Sequence, residues 1–422
     1  MQKNFGERTV TLCAALLTAL VACLILMSGC SGGGLGGKAR PRTLADVPSE
    51  HLAFRFEPDV TEPPTAAVAS TNEKLESVQR DFDIRRPDDA LLRTIASPDG
   101  GRVLALYAAG DTVEGQFLID LYTGDGQFLR KYMPSNLSGD FPSTLSWSPD
   151  GQAVAFIAHG NRSATSPQPT PSALNPTASP NAGAPLAPTV PAFSTEQIYV
   201  GDRDGFTVRP LTTRDGLIYF YFAWAPDSHA LAALACKEDE WSERETEDKP
   251  PAGRPRLIFI NGSERLLDDR LTDVLPVWSP DAAKVATAFE TDVVIYDASL
   301  TNAPTGARIT LADPLLAASV AYDEAKKTEG ETANKNDSSK SGTTQTNSNA
   351  TNGGGTTGGD SSSPPLSFNP VVRLQWPQAQ TLFAQTGFVR IYRGGEIRSN
   401  YLRWHTLHLS PQAALLKIAR RR

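Results

Sequence analysis

The 422-residue sequence predicts an all-β fold, a six-bladed β-propeller. Three observations predict it: a recurring turn motif, strand-like apolar runs on either side of that motif, and a repeat of blade length. The tetrad Ser-Pro-Asp-Gly stands at Ser97–Gly100 and Ser148–Gly151, with variants at Ala225-Pro226-Asp227 and Ser279-Pro280-Asp281. Degenerate copies follow at Trp376-Pro377-Gln378 and Ser410-Pro411-Gln412. The motif prolines are 51, 77, 54, 97 and 34 residues apart. Two long intervals hold low-complexity insertions, at about 161–192 and about 326–363, which have too little apolar surface to order themselves. Without them the unit shortens to roughly 40–55 residues, the length of a four-stranded blade.

The chain opens with Lys3 and Arg8, then an uncharged run from Val10 to Met27, the layout of a secretory signal. The run ends in Met27-Ser28-Gly29-Cys30 and is followed by a Gly-rich stretch at 32–37. This segment resembles a bacterial lipoprotein signal peptide. Ser28-Gly29-Cys30 matches the last three positions of the lipobox, and Met27 departs from the usual Leu. The resemblance implies that residues 1–29 are removed, that Cys30 is lipidated, and that 30–50 form a tether. Ser31 behind the cysteine implies outer-membrane sorting, facing the periplasm or the cell surface. An uncleaved spanning helix is the alternative, because about 18 apolar residues just suffice to cross a bilayer. Cleavage also removes Cys13 and Cys23, so Cys236 reads as a small buried hydrophobe without a disulfide partner.

Residues 51–422 are assigned to the propeller. In each turn Pro98, Pro149, Pro226 or Pro280 pre-sets the first central position of a type I turn, and Asp99, Asp150, Asp227 or Asp281 fits the second. Strand runs follow: Ala153–Ile157, Gln197–Val200 and Phe206–Leu211 in the second unit, and Lys284–Phe289, Val293–Asp297 and Ala307–Leu311 in the fourth. The last unit offers only His405–Leu409 and Ala414–Ala419. His51–Phe56 and Val78–Ile84 are therefore expected to complete it and close a ring of six blades, with five or seven left open.

This pattern of motif, strand, Ile-Tyr and Asp-Gly turn resembles the WD40-like repeat of TolB-type propellers and of prolyl-oligopeptidase and dipeptidyl-peptidase relatives. The likeness is good over about 91–313 and poor over 370–422. TolB carries an α/β domain ahead of its propeller. Here only about sixty residues separate Cys30 from Leu91, and no room is expected for the peptidases' hydrolase domain.

A net charge of -7 gives no basic field for nucleic acid. Five His and four Cys argue against a metal centre and a disulfide scaffold, so neither metal nor cofactor is expected. Gly29–Gly33 spells Gly-x-Ser-x-Gly and Gly32–Gly37 spells Gly-x-Gly-x-x-Gly, but both lack the strand–turn–helix setting that such motifs need. His405 and His408, three apart on a strand, fall on opposite faces. Trp147, Trp224, Trp278 and Trp376 read as core between sheets. Glu238–Asp248 reads as a solvated acidic loop in which Trp241 could meet a basic partner.

Together these readings predict a non-enzymatic, membrane-anchored envelope lipoprotein whose propeller is a protein-interaction scaffold or a structural subunit of an envelope assembly. No small-molecule ligand is identifiable. The alternative is a propeller-based hydrolase or small-ligand binder at the channel mouth, marked by close carboxylates and a perturbed pKa.

Overall fold

A computed structural model describes residues 43–63, 74–110, 114–161, 190–299, 306–317, 366–392 and 395–411. The signal segment, most of the tether, Ala414–Ala419, most of the first insertion and all of the second lie outside the described residues.

Five antiparallel sheets follow one another along the chain. Sheet 1 comprises β2 (Ala90–Ala96), β3 (Arg102–Ala108), β4 (Leu118–Thr123) and β5 (Phe128–Lys131). In sheet 2, β6 (Leu137–Asp140) and β7 (Ser146–Trp147) share the neighbour β8 (Ala153–Gly160), followed by β9 (Gln197–Asp202) and β10 (Val208–Pro210). Sheet 3 comprises β11 (Leu217–Trp224), β12 (Ala230–Lys237), β13 (Arg254–Phe259) and β14 (Glu264–Leu266). Sheet 4 comprises β15 (Val277–Trp278), β16 (Lys284–Phe289), β17 (Asp292–Asp297) and β18 (Ala307–Thr310). Sheet 5 joins β19 (Leu366–Phe368) and β20 (Val371–Gln378) to β21 (Thr381–Tyr392), then β22 (Gly395–Ser410) and finally β1 (Ala53–Val60).

The meander of hairpin-linked strands is the propeller blade the repeat predicts. Against the expected six, with five or seven left open, the described residues form five sheets. Trp376 lies on β20 and Ser410 ends β22, so the last two motif copies belong to one sheet. Their 34-residue spacing is filled by the unusually long β21 and β22.

Central strands such as β12 and β16 are buried along nearly their whole length, because both faces meet neighbouring sheets. Leu104, Leu106, Phe156 and Tyr199 join sheets 1 and 2, and Ile157, Ile198 and Phe222 join sheets 2 and 3. Leu257, Trp278 and Val285 continue the core into sheet 4, and Ile295, Leu374 and Leu407 carry it into sheet 5.

The N-terminal segment closes sheet 5 as its pattern suggests, with Phe54 opposite Leu409 and Phe56 opposite Leu407. Val78–Ile84 does not. It lies in helix α1 (Glu76–Arg85), which packs Val78 and Phe82 on the face of sheet 1 formed by Leu91, Val103, Tyr107 and Tyr122. The helical period is present in the sequence: Val78 and Phe82 are four apart, as are the bonded pairs Gln79–Asp83 and Asp81–Arg85.

Three motif tryptophans bind each sheet to the one before it. Trp147 Nε1 donates to the Ile95 carbonyl at 3.1 Å, Trp224 to Ser146 at 3.4 Å and Trp278 to Ala223 at 3.0 Å. Trp376 instead donates within its own sheet, to Ala379 at 3.1 Å. Among the described residues no helix is long and apolar enough to cross a membrane.

Candidate functional site

The residues singled out by the repeat serve their own turns. Ser97 Oγ donates to Asp99 Oδ1 at 2.7 Å, the Gly101 N–H donates to the same oxygen, and the Arg102 N–H donates to Ser97 Oγ. Asp150 and Asp281 repeat the arrangement with Ser148 and Ser279. Where Ala225 replaces serine, Asp227 keeps only the bond from the His229 N–H, at 3.0 Å. The prolines Pro98, Pro149, Pro226 and Pro280 precede these carboxylates at the turn's first central position. The fourth residue of each turn has positive φ: 69° at Gly100 and Gly151, 64° at Ser228 and 57° at Ala282. The Ser97 hydroxyl, the Arg203 guanidinium and the Gly101 N–H hold the Asp99 carboxyl well below the usual carboxylate range. The turns also link sheets, since the Asp150 N–H donates to Ser228 Oγ at 3.1 Å.

His405 and His408 have separate fates. His405 is fully buried; its Nδ1 accepts from the Asp59 N–H at 3.3 Å and its Nε2 lies 2.9 Å from Thr386 Oγ1. His408 pairs with exposed Glu57. Cys236 is buried and forms no disulfide among the described residues, and burial pushes its thiol up to about 12.

The expected acidic loop is a helix, α2 (Glu238–Thr246). Three acids in its first turn favour it through the helix dipole, and Arg254 anchors it with bonds of 2.6 and 2.7 Å to Glu240. Trp241 is half-buried rather than standing free in solvent. Its ring packs 5.7 Å from Phe141 and 5.6 Å from Phe220, wedged between sheets 2 and 3. Phe141 reaches it from a left-handed backbone, φ 54°, which costs about 1 kcal/mol or more for a bulky residue.

One cluster of titratable groups is not consumed by the framework. Ser138 lies opposite His159 in the β6–β8 pairing, and Ala158 lies opposite Gln197 in the β8–β9 pairing. With side chains alternating, Asp140, His159 and Glu196 share one face of sheet 2, the face whose Ile157 and Ile198 pack toward sheet 3. His159 Nδ1 lies 2.5 Å from Asp140 Oδ2. Its Nε2 lies 3.4 Å from Gln116 Nε2, and Gln116 Oε1 accepts from Ser138 Oγ at 2.9 Å. One ligand-type atom from each of Asp140, His159 and Glu196 falls within 4.8 Å of the others. Burial raises the Glu196 carboxyl above the ordinary range; the charges of Asp140 and Glu238 add to this, and His159 opposes it. Such a group can hold a cation or move a proton. Sequence reasoning missed it because the three residues lie 19 and 37 positions apart, across the first insertion, and only strand register unites them.

Elsewhere, a concavity of about 650 Å³ lies where sheets 3, 4 and 5 meet. Its cations are already partnered: Arg270 with Asp268, Arg308 with Asp292, and Lys249 with Glu247.

No protein-family model and no curated protein matches the chain. Solved structures similar to it include a TolB from Agrobacterium tumefaciens, 19% identical, covering 52% of this chain and 63% of that one, with a TM-score of 0.29. An oligogalacturonate lyase in complex with manganese is 10% identical over 85% of this chain and 74% of that one, TM-score 0.36. A prolyl endopeptidase is 11% identical over 77% and 38%, TM-score 0.33. The chain thus spans less than two thirds of the TolB structure, and the propeller assignment stands on the five sheets themselves.

Proposed function

We propose that this chain is a cell-envelope lipoprotein, held at a membrane through lipidated Cys30, whose propeller binds other envelope proteins and does not turn over a substrate. The observation that carries this reading is the seating of α2. Trp241 and the Arg254–Glu240 pair fix the helix across sheets 2 and 3, leaving Glu238, Asp239, Glu243 and Glu245 exposed on a rigid support. An ordered acidic ledge favours a partner with a basic surface and spares it part of the ordering entropy. The tether confines the search to the membrane plane, where a high local concentration compensates for modest affinity. Fold alone does not assign function, so the partner class rests on this surface.

A second reading, a propeller-based hydrolase or small-ligand binder, draws on the Asp140–His159–Glu196 group. The two readings separate in a crosslinking pull-down from native membranes with the wild type and a Glu243→Lys/Glu245→Lys variant. The binding module predicts envelope partners that the variant loses while its thermal midpoint is unchanged. Partners retained by a folded variant would contradict docking on α2.

A further inference from the structure

We propose that Asp140, His159 and Glu196 bind a divalent transition-metal ion of the zinc or manganese class, on the face of sheet 2 that packs toward sheet 3. This goes beyond the binding-module reading and is independent of it.

Charge bookkeeping across the fold sets this cluster apart. Elsewhere the framework places a guanidinium or ammonium against its inward-facing carboxylates: Arg86 against Asp120, Arg256 against Glu264, Lys284 against Asp297. Among the described residues, Asp140 has His159 as its ion-pair partner, and Glu196 has no lysine or arginine within ion-pair distance. Two carboxylates thus share one face with a single imidazole, and a bound cation supplies the missing positive charge.

The donor set selects the ion. One nitrogen and two carboxylate oxygens suit borderline metals, whereas calcium and magnesium take all-oxygen shells and copper(I) takes sulfur. Donor atoms already within 4.8 Å of one another need only small side-chain shifts to reach the spacing of roughly 3–3.5 Å that metal–ligand bonds of about 2.0–2.2 Å impose. Three protein ligands leave at least one position open for water or an incoming ligand group.

The surrounding groups tolerate the change of tautomer that binding requires. Nδ1 faces Asp140, 2.5 Å from its Oδ2, and is the nitrogen assigned to the metal. Once it ligates a metal, the ring proton resides on Nε2 and needs an acceptor. Rotation of the Gln116 amide presents Oε1 to Nε2, and the Ser138 hydroxyl, able to donate or accept, then takes the amide N–H.

The test uses tag-free full-length protein in detergent, stripped with a chelator and titrated calorimetrically with Zn²⁺, Mn²⁺ and Ca²⁺. The expected result is one Zn²⁺ or Mn²⁺ per chain, weaker binding of Ca²⁺, and at least a tenfold loss of affinity in Glu196→Gln and Asp140→Asn. Bound Zn²⁺ should also protect His159 of the wild type, but not exposed His229, from diethylpyrocarbonate as read by mass spectrometry, a result that does not depend on how the variants fold. Absence of stoichiometric Zn²⁺ or Mn²⁺ binding, affinity unchanged in folded variants, or His159 modified equally with and without metal would overturn the proposal.

Discussion

Lys284 Nζ contacts the Asp297 carboxylate and donates to the Val47 carbonyl at 2.7 Å, so one buried ammonium ties the N-terminal segment to sheet 4. The Ser49 N–H and hydroxyl complete the knot by donating to the same carboxylate, at 3.0 and 2.8 Å. The chain then runs directly into β1, the outermost strand of sheet 5. A strand that completes the last blade is therefore held by the blade before it.

Lys284→Met strips the cation, leaving the Val47 carbonyl without the Lys284 donor and the Asp297 charge held only by the Ser49 bonds. A loss of about 3 kcal/mol is expected, read from the denaturant midpoint. Burial pushes the Asp297 carboxyl up, but the bonds from Lys284 and Ser49 outweigh it and hold it below the ordinary carboxylate range. Its stabilisation is present above the unfolded pKa near ~3.9 and is lost as pH falls through the lower folded value. The variant's acid limb should be shallower there; an identical limb would show that the pair does not stabilise the fold.

His405 makes a second pH prediction with a separate window. Burial lowers its pKa to about 4, Asp59 raising it in part, so the folded state holds a neutral ring. The unfolded ring titrates near ~6.5, so the contribution is full above that value and lost as pH drops from there to about 4. Urea denaturation across this range should show stability falling more steeply in the wild type than in His405→Gln. Equal slopes would contradict a neutral buried imidazole.

Trp278→Phe removes the indole N–H that meets the Ala223 carbonyl on sheet 3 and leaves part of a cavity among Leu257, Val285 and Tyr296. Thermal or chemical denaturation should register a loss of about 2 kcal/mol. A loss below roughly 0.5 kcal/mol would mean that the inter-sheet bond is immaterial.

Ala282 occupies the left-handed turn position that Gly100 and Gly151 fill in the first two copies. Ala282→Gly should stabilise by about 0.5–1 kcal/mol, because the Cβ penalty at φ 57° exceeds the added entropy of the unfolded chain. Ser228→Gly should gain less, since it forfeits the bond from the Asp150 N–H. A destabilised Ala282→Gly would refute the strain.

Repetition made the blade legible. The motifs around Pro98, Pro149, Pro226 and Pro280 mark turns because Pro, Asp and Gly act locally, and the following apolar runs become central strands. The count stays open between five and seven where local signals weaken, at Pro377 and Pro411, and the pairing of β20, β21 and β22 shows one sheet there. Helix α1 was misread because a short segment with Val78, Phe82 and Ile84 suits either period until Val78 and Phe82 find sheet 1. Helix α2 was missed because its acids resemble a solvated loop until Trp241 finds Phe141 and Phe220. The Asp140–His159–Glu196 group is a product of register, a non-local property that no spacing rule encodes.

The most direct test of a tethered binding propeller is membrane fractionation with mild crosslinking, comparing the wild type with Cys30→Ala and reading both intact mass and captured partners. The predicted result is a wild-type chain lacking residues 1–29, acylated at Cys30 and crosslinked to envelope proteins, and a Cys30→Ala chain that loses both the acyl mass and those partners. A Cys30→Ala chain that stays with the membrane at the wild-type mass and keeps the same partners would contradict it.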